Sequence, residues 1–479
     1  MTHSHPNKYK AGWFAMLAAL LVLVSCREDN DPAPAVETAN TKINNWIYSN
    51  MEFWYYWNNQ LPSSTDKNQE PDDYFQSLLV GEDRFSWIQP NYQELLNSLQ
   101  GITKESGYEY VLYRESEGSN NVIAQILYTK PNSPAAAAGL KRGDVISKIN
   151  NQQLTTDNYR TLLEDAKKSH ALTFKAIRVG ENSFDAEKTI AVDPVEYTEN
   201  PNYYTSVIDL NGRKVGYYVY NFFSNGTNGS NVYDNEMQSI FANFKSQGIT
   251  DLVLDLRFNS GGSESSAQSL ASFIGKGVDA SKTFATRVYN AKVEEEILKD
   301  PDLGQAFLTT KFQAKTANIG GQLSGGRVYV LTSSRTASAS ELVINALKPF
   351  MDVFIIGDVT YGKNVGSISL YDKESTTNKW GMQPIVVKVF NSLGQSDYAT
   401  GFQPNVLDED NSLYLYPLGD QREVLLAQAI GQITGAATNG RTRTPEETKE
   451  SIGHSLDQKR RSFNLVIDRN VPDALQLQY

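Results

Sequence analysis

The sequence predicts an α/β protein whose main sheet is preceded by a smaller all-β unit and a small helical cap. Three patterns in the 479-residue chain predict this. From Lys214 to Phe390, strand-like apolar runs alternate with segments of helical spacing, which places helices on the faces of a sheet. From Gly101 to about Val179 the pattern changes to short alternating strands separated by glycine turns. Between Lys42 and Gln100, the residues Ile43, Trp46, Ile47, Met51 and Trp54 fall close to one helical face.

At the N-terminus, Lys8 and Lys10 precede an uncharged run from Ala11 to Ser25 that ends Leu23-Val-Ser-Cys26. Such a run reads as a secretory signal, too short to span a bilayer. Leu-Val-Ser-Cys resembles the bacterial lipobox, in which the cysteine is acylated and becomes the first mature residue. The resemblance implies a signal over residues 1–25 and a lipid on Cys26. It also implies a bacterial cell-envelope location, anchored to the outer membrane on its periplasmic face or at the surface. Cys26 is the only cysteine, which leaves no disulfide, thiol nucleophile or cysteine metal site. Losing Lys8 and Lys10 moves the formal charge from −11 to −13, a balance that disfavours nucleic acid. Residues 26–41, with Arg27-Glu-Asp-Asn-Asp-Pro-Ala-Pro, read as a tether, and the acidic patch resembles the surface-export signal of Bacteroidetes lipoproteins.

Residues 42–100 form the expected cap, where Trp54, Tyr55, Tyr56 and Trp57 read as packing in preference to a ligand platform. Residues 101–192 form the small β unit, with strands expected at Tyr108–Tyr113 and Val122–Leu127. They are followed by Ser133-Pro-Ala, Ala138-Gly-Leu140, Gly143-Asp-Val-Ile146 and Ile149-Asn150. This series resembles a PDZ domain, with a short Ala-rich helix, a turn at Gly143-Asp144 and a strand at Val145–Ile149. PDZ domains add an extended peptide to a sheet edge, usually its C-terminus. The resemblance places Gly107, Tyr108, Glu109, Tyr110 and Val111 at the carboxylate-binding loop and edge strand. A linker is expected near Asp193–Asn202, a core over 193–436, and a loose polar tail over 437–479 that includes Lys459-Arg-Arg461.

The chemistry gathers in three segments. The strand Arg327–Thr332 leads into Ser333-Ser-Arg-Thr-Ala-Ser338, after which Glu341, Leu342, Val343, Ala346 and Leu347 continue at helical spacing. Ser338 thus opens a helix, where unpaired N–H groups, that of Ala339 first, can stabilise an oxyanion. Ser338-x-x-Glu341 is also a capping box that needs no chemistry. The strand Val353–Gly357 leads to Asp358-Val-Thr-Tyr-Gly-Lys363, with the lysine 25 residues beyond Ser338. Parallel neighbouring strands would bring the two together. A lysine matters because the four histidines are His3, His5, His170 and His454, so none lies between Ala171 and Gly453. Lysine serves as a general base where desolvation lowers its pKa from about 10.4 toward 7 or 8. The third segment, Leu252-Val-Leu-Asp-Leu-Arg257, ends in Phe-Asn-Ser-Gly-Gly262, whose glycines either admit a substrate backbone or simply form a tight turn.

Together these segments closely resemble the C-terminal processing peptidases, or tail-specific proteases, over about residues 100–435. That family joins a PDZ domain, inserted in or preceding the core, to a ClpP/crotonase-like α/β peptidase core. The resemblance implies Ser338 as nucleophile, Lys363 as general base, and Gly261 or Gly262 with Ala339 as oxyanion hole. Asp255 and Arg257 would position the glycine turn. It implies extended protein or peptide substrates and no metal or organic cofactor. Many members carry a glutamine four residues after the lysine, where this chain has Ser367 as the possible orienting group. Gly401-Phe-Gln-Pro-Asn405 lacks the acid of the family's Gly-x-x-Pro-Asp. The alternative is a catalytically silent peptide- or ligand-binding lipoprotein on the same fold, which also resembles the repeats of retinoid-binding proteins.

Overall fold

A computed structural model of the chain describes residue 1 and residues 38–436, 450–457 and 466–467. Cys26, residues 2–25 of the leader and Lys459–Arg461 lie outside the described residues. Among those described, no helix is long and apolar enough to cross a membrane.

The cap begins with helix Ala39–Trp54, whose Thr38 side chain accepts the Thr41 N–H. Trp46, Ile47 and Met51 pack with Tyr74 and Phe75 of helix Pro71–Ser77. The aromatic run is packing: Trp54 and Tyr55 are buried, and the Tyr55 hydroxyl accepts the Val80 N–H. The cap is not purely helical, because strand Trp87–Gln89 pairs antiparallel with Gly381–Gln383 of the core.

The PDZ domain is one antiparallel sheet. In order, Lys188–Val192, His170–Lys175, Val145–Ile149, Val122–Thr129 and Tyr108–Arg114 lie side by side around Leu112, Ile126, Ile146, Leu172 and Phe174. Ser133 caps the short helix Pro134–Ala137 by accepting the Ala136 N–H. The expected linker is partly strand: Val195–Thr198 pairs with Ile102–Glu105, and the next strand begins at Asn202. Backbone pairing, which leaves little side-chain signature, overrides the polar composition there.

The core sheet has six strands in sequential order: β1 Asn202–Leu210, β2 Arg213–Tyr220, β3 Asp251–Asp255, β4 Arg327–Thr332, β5 Asp352–Gly357 and β6 Val406–Leu407. β1 and β2 are antiparallel and every later pair is parallel. Period-two alternation gives each face its own core. Leu252, Leu254, Val328 and Val330 pack on the side of helices Val232–Gln247, Glu264–Ile274 and Ala339–Leu347. Val253, Tyr329 and Leu331 pack with Leu425, Leu426 and Ala429 of helix Val424–Thr434 on the other. A second antiparallel sheet pairs Thr283–Tyr289 with Ile385–Phe390, and the latter with Val365–Ser367, the strand that follows Lys363.

The tail also departs from expectation. Ser451–His454 pairs antiparallel with Tyr108–Arg114 at the PDZ edge, and Val466 bridges to Ser263 and Ser367. Within the described tail, Ser451–His454 is a docked strand and Val466 an isolated bridge, both held by backbone hydrogen bonds that the polar composition does not advertise.

Candidate active site

The three chemical segments leave the C-terminal ends of neighbouring parallel strands β3, β4 and β5, where α/β sheets gather their sites. Side chains lock the turn after β4 onto the turn after β3. Thr336 Oγ1 donates to the Leu256 carbonyl at 2.8 Å, and Ser333 Oγ to that of Arg257 at 2.6 Å. The Asn259 carbonyl accepts the Ala337 N–H at 3.2 Å and Ser340 Oγ at 3.0 Å.

Ser338 is buried at φ 61° and ψ −110°, a backbone region that favours glycine and costs a side-chain-bearing residue about 1–3 kcal/mol. It immediately precedes helix Ala339–Leu347, whose first N–H groups have no intrahelical acceptor. Glu341 does what a capping-box glutamate does, accepting the Ser338 N–H at Oε2, 2.8 Å. It then reaches across to β5. Its carboxylate also accepts the N–H of Lys363 at 2.8 Å, the N–H of Gly362 at 2.7 Å and Thr360 Oγ1 at 2.6 Å. Burial pushes the Glu341 carboxyl up, and these donors oppose the shift. The cap and the site are therefore one device.

Lys363 is 1% exposed and, among the described residues, its Nζ has no hydrogen-bond partner. Nζ lies 5.0 Å from the centroid of the Phe85 ring. Burial pushes the ammonium from 10.5 down to about 7, against the opposing charges of Asp83 and Glu341. The wall over the lysine comes from the cap, which the sequence reading missed. Asp83 Oδ1 accepts the N–H groups of Phe85 and Ser86 at 2.9 Å each. Arg84 Nη2 donates to the Gly362 carbonyl at 3.1 Å, and Ser86 Oγ accepts the Ile385 N–H at 2.8 Å. The local signal was Asp83-Arg-Phe-Ser86, a side-chain-stabilised turn carrying an aromatic residue.

Ser367 does not take the expected orienting role. Its hydroxyl faces Gln383 Oε1 at 3.5 Å and makes no hydrogen bond to Lys363. A register shift between Gly366 and Ser367, opposite Ile385, directs that side chain toward Gln383.

The glycine turn divides its roles. Gly261 and Gly262 have φ of 112° and 134°, and a Cβ on Gly262 would lie 2.1 Å from the Phe223 carbonyl oxygen, so only glycine fits there. The Gly261 N–H donates to Asn259 Oδ1 at 2.9 Å. Of the two, Gly262 alone can turn its N–H to an oxyanion without breaking a described hydrogen bond, alongside that of Ala339. Behind the turn, Arg257 is buried and bonded to Asp255 at 3.0 Å and to both carboxylate oxygens of Glu423 at 2.5 and 2.9 Å. Tyr217 donates to Asp255 at 2.7 Å. These charges fix the turn, and Arg257 also borders the cleft described below.

Gly107 closes a tight approach: a Cβ there would fall 2.1 Å from that of Ser133. Tyr108, Glu109, Tyr110 and Val111 lie on the outer strand of the PDZ sheet, and Glu109 pairs with the buried Lys130 at 3.3 Å. Lys130 is also bonded to Glu105 and Glu199. This cation is fully committed to carboxylates, so the site offers a peptide's terminal carboxylate little attraction. A cleft lined by Val111, Tyr113, Phe258, Ser334, Arg335 and His454 connects this edge to the Ser338 turn.

Comparisons with known proteins agree with this architecture. The peptidase family S41 matches residues 214–407, the peptidase S41 N-terminal domain residues 42–87, and the PDZ domain residues 125–175. The chain is 26% identical over 288 residues to a protein of Staphylococcus aureus named "Probable CtpA-like serine protease", covering 59% of this chain and 50% of that one. A Staphylococcus epidermidis protein of the same name is 26% identical over 342 residues, covering 69% of this chain and 58% of that one. The match thus spans about half the length of these curated relatives. A Bacteroides fragilis crystal structure assigned to the S41 proteases superposes with TM-score 0.69 at 28% identity, over 81% of this chain and 97% of that one. A cap, a PDZ domain and a Ser–Lys pair following adjacent parallel strands, each found where those matches fall, lead to one conclusion: the chain carries a peptidase family S41 domain over residues 214–407, preceded by the S41 N-terminal domain and a PDZ domain.

Proposed function

We propose that the protein is a serine endopeptidase of the C-terminal processing type, acting through Ser338 and Lys363. The observation that carries this is the buried Lys363 Nζ, without a hydrogen-bond partner among the described residues, held near 7, and tied through Glu341 to the backbone of Ser338. Neutral Lys363 takes the Ser338 hydroxyl proton as Oγ attacks the scissile carbonyl, and the N–H groups of Gly262 and Ala339 hold the oxyanion. The lysine ammonium then protonates the leaving amine as the C–N bond breaks. Water attacks the acyl-enzyme, Lys363 takes its proton, and the acid product leaves as Ser338 recovers its own. Nζ must approach Oγ when substrate binds, a tightening that catalytic hydrogen bonds commonly show. No metal or organic cofactor enters these steps.

Extended protein segments are the proposed substrates, selected by strand addition at the PDZ edge. An acylating serine probe should label Ser338 in the wild-type chain, mapped by mass spectrometry, and fail to label Lys363→Ala. Equal labelling of both would contradict the dyad. The proposal extends to the leader: Cys26 carries lipid and anchors the mature protein in the bacterial envelope. The mass of the mature N-terminus, compared with that of Cys26→Ser, tests it.

A further inference from the structure

We propose that the C-terminal segment of this chain is an inhibitor in cis, occupying both the PDZ edge and the groove beside Ser338. The inhibitory part rests on the peptidase reading above; the occupancy does not.

The first contact is strand addition. Ser451, Gly453 and His454 stand opposite Tyr113, Leu112 and Val111, antiparallel, on the outer strand of the PDZ sheet. The Ser455 N–H donates to the Tyr110 carbonyl at 2.9 Å, Ser455 Oγ accepts the Tyr110 N–H at 2.8 Å, and the same hydroxyl donates to Glu109 at 2.7 Å. This is the position an incoming peptide would take. The bound piece is internal to the chain, as the carboxylate-rich surroundings of Lys130 favour.

The second contact reaches the loop that carries the nucleophile. Leu456 is 1% exposed and packs in the cluster of Val111, Tyr113 and Phe258. Asp457 Oδ1 accepts from Arg335 Nε at 2.8 Å, three residues before Ser338.

The third contact lies beside the glycine turn. The Val466 N–H donates to the Gly262 carbonyl at 2.9 Å, and its own carbonyl accepts the Glu264 N–H at 3.1 Å. The Ile467 N–H donates to the Ser367 carbonyl at 3.0 Å, and the Ile467 side chain is 5% exposed within the main core. Val466 thus bridges the glycine turn and the strand after Lys363, the two backbones that flank the proposed site. A tethered segment acts at an effective concentration on the order of millimolar, enough to exclude weakly bound competitors.

The probe is a fluorescent synthetic peptide of residues 450–470, titrated against full-length Ser338→Ala chains so that nothing is cleaved. Ser455→Pro with Ile467→Asp removes hydrogen bonds at the edge and seats a charge where Ile467 is buried. The double variant should bind the peptide at least tenfold more tightly than the unaltered tail. Asp457→Lys, at a partly exposed position, should give an intermediate gain and guards against a misfolded double variant. With Ser338 restored, kcat/KM on an unstructured protein should rise at least fivefold in the double variant. Equal peptide affinity in all three chains would overturn tail occupancy whether or not the protein cleaves anything. Rapid self-cleavage at the tail would overturn inhibition by showing a substrate instead. Tighter binding with no cleavage by any chain would contradict the peptidase reading and leave the occupancy standing.

Discussion

Ser338 and Lys363 donate their backbone N–H groups to the same oxygen, Oε2 of Glu341, at 2.8 Å each. One buried carboxylate therefore sets the spacing between the two residues on which the proposed chemistry depends.

Replacing Glu341 by glutamine should test that clamp. The amide keeps one acceptor but turns an NH2 group toward N–H donors, leaving buried donors unpaired at a cost of about 1–3 kcal/mol. A displacement of the dyad by about 1 Å is enough for a loss near 100-fold. Steady-state kinetics should show kcat reduced by one to two orders of magnitude with KM nearly unchanged. An unaltered kcat would show that Glu341 is only a helix cap.

The strain at Ser338 makes a second prediction, of opposite sign for stability and activity. Glycine adopts φ 61° without the steric cost a serine bears. Ser338→Gly should therefore abolish cleavage while raising stability by about 1 kcal/mol in denaturant unfolding. Ser338→Ala, which keeps the Cβ, should abolish cleavage without that gain.

Lys363 carries a stability cost that depends on pH. Its folded pKa of about 7 lies below its ordinary 10.5, so between those values the unfolded chain binds a proton that the folded chain does not. Stability must then rise with pH across this window, and the full cost is present below about pH 7. The shift corresponds to an upper bound of roughly 5 kcal/mol. Lys363→Met should melt at a higher temperature than wild type at pH 6, with the difference shrinking toward pH 10. A constant difference would contradict a depressed folded pKa.

Phe85 supplies part of the apolar wall over that lysine. Phe85→Ala lets water reach Nζ, which weakens the desolvation that lowers its pKa. The acidic limb of the activity profile should move up by about one pH unit, with activity recovered at alkaline pH. An unmoved limb would place the desolvation elsewhere.

Much of this architecture was legible in the sequence because it is written in local pattern. Apolar runs at Leu252–Leu256 and Arg327–Thr332 mark strands, and Ala138-Gly-Leu140 with Gly143-Asp144 marks the PDZ turns. What was not legible joins residues far apart in the chain. Arg84 meets Gly362, and Phe85 meets Lys363, across more than 270 positions, with no periodicity to announce either contact. Glu341 was visible as a cap, but its bonds to Thr360, Gly362 and Lys363 depend on β4 and β5 being neighbours. Ser367 was read from its offset to Lys363, whereas a register shift decides which way it points. The tail was misread because strand addition uses backbone groups, and Ser451-Ile-Gly-His454 carries almost no β-type composition.

The most direct test is the pH dependence of kcat/KM for the chain beginning at residue 27, on an unstructured protein, beside Ser338→Ala and Lys363→Ala. The dyad predicts activity that rises with pH through about 7, as the lysine loses its proton, and loss of cleavage in both variants. Cleavage that survives Ser338→Ala, or a wild-type profile flat from pH 5 to 9, would contradict it.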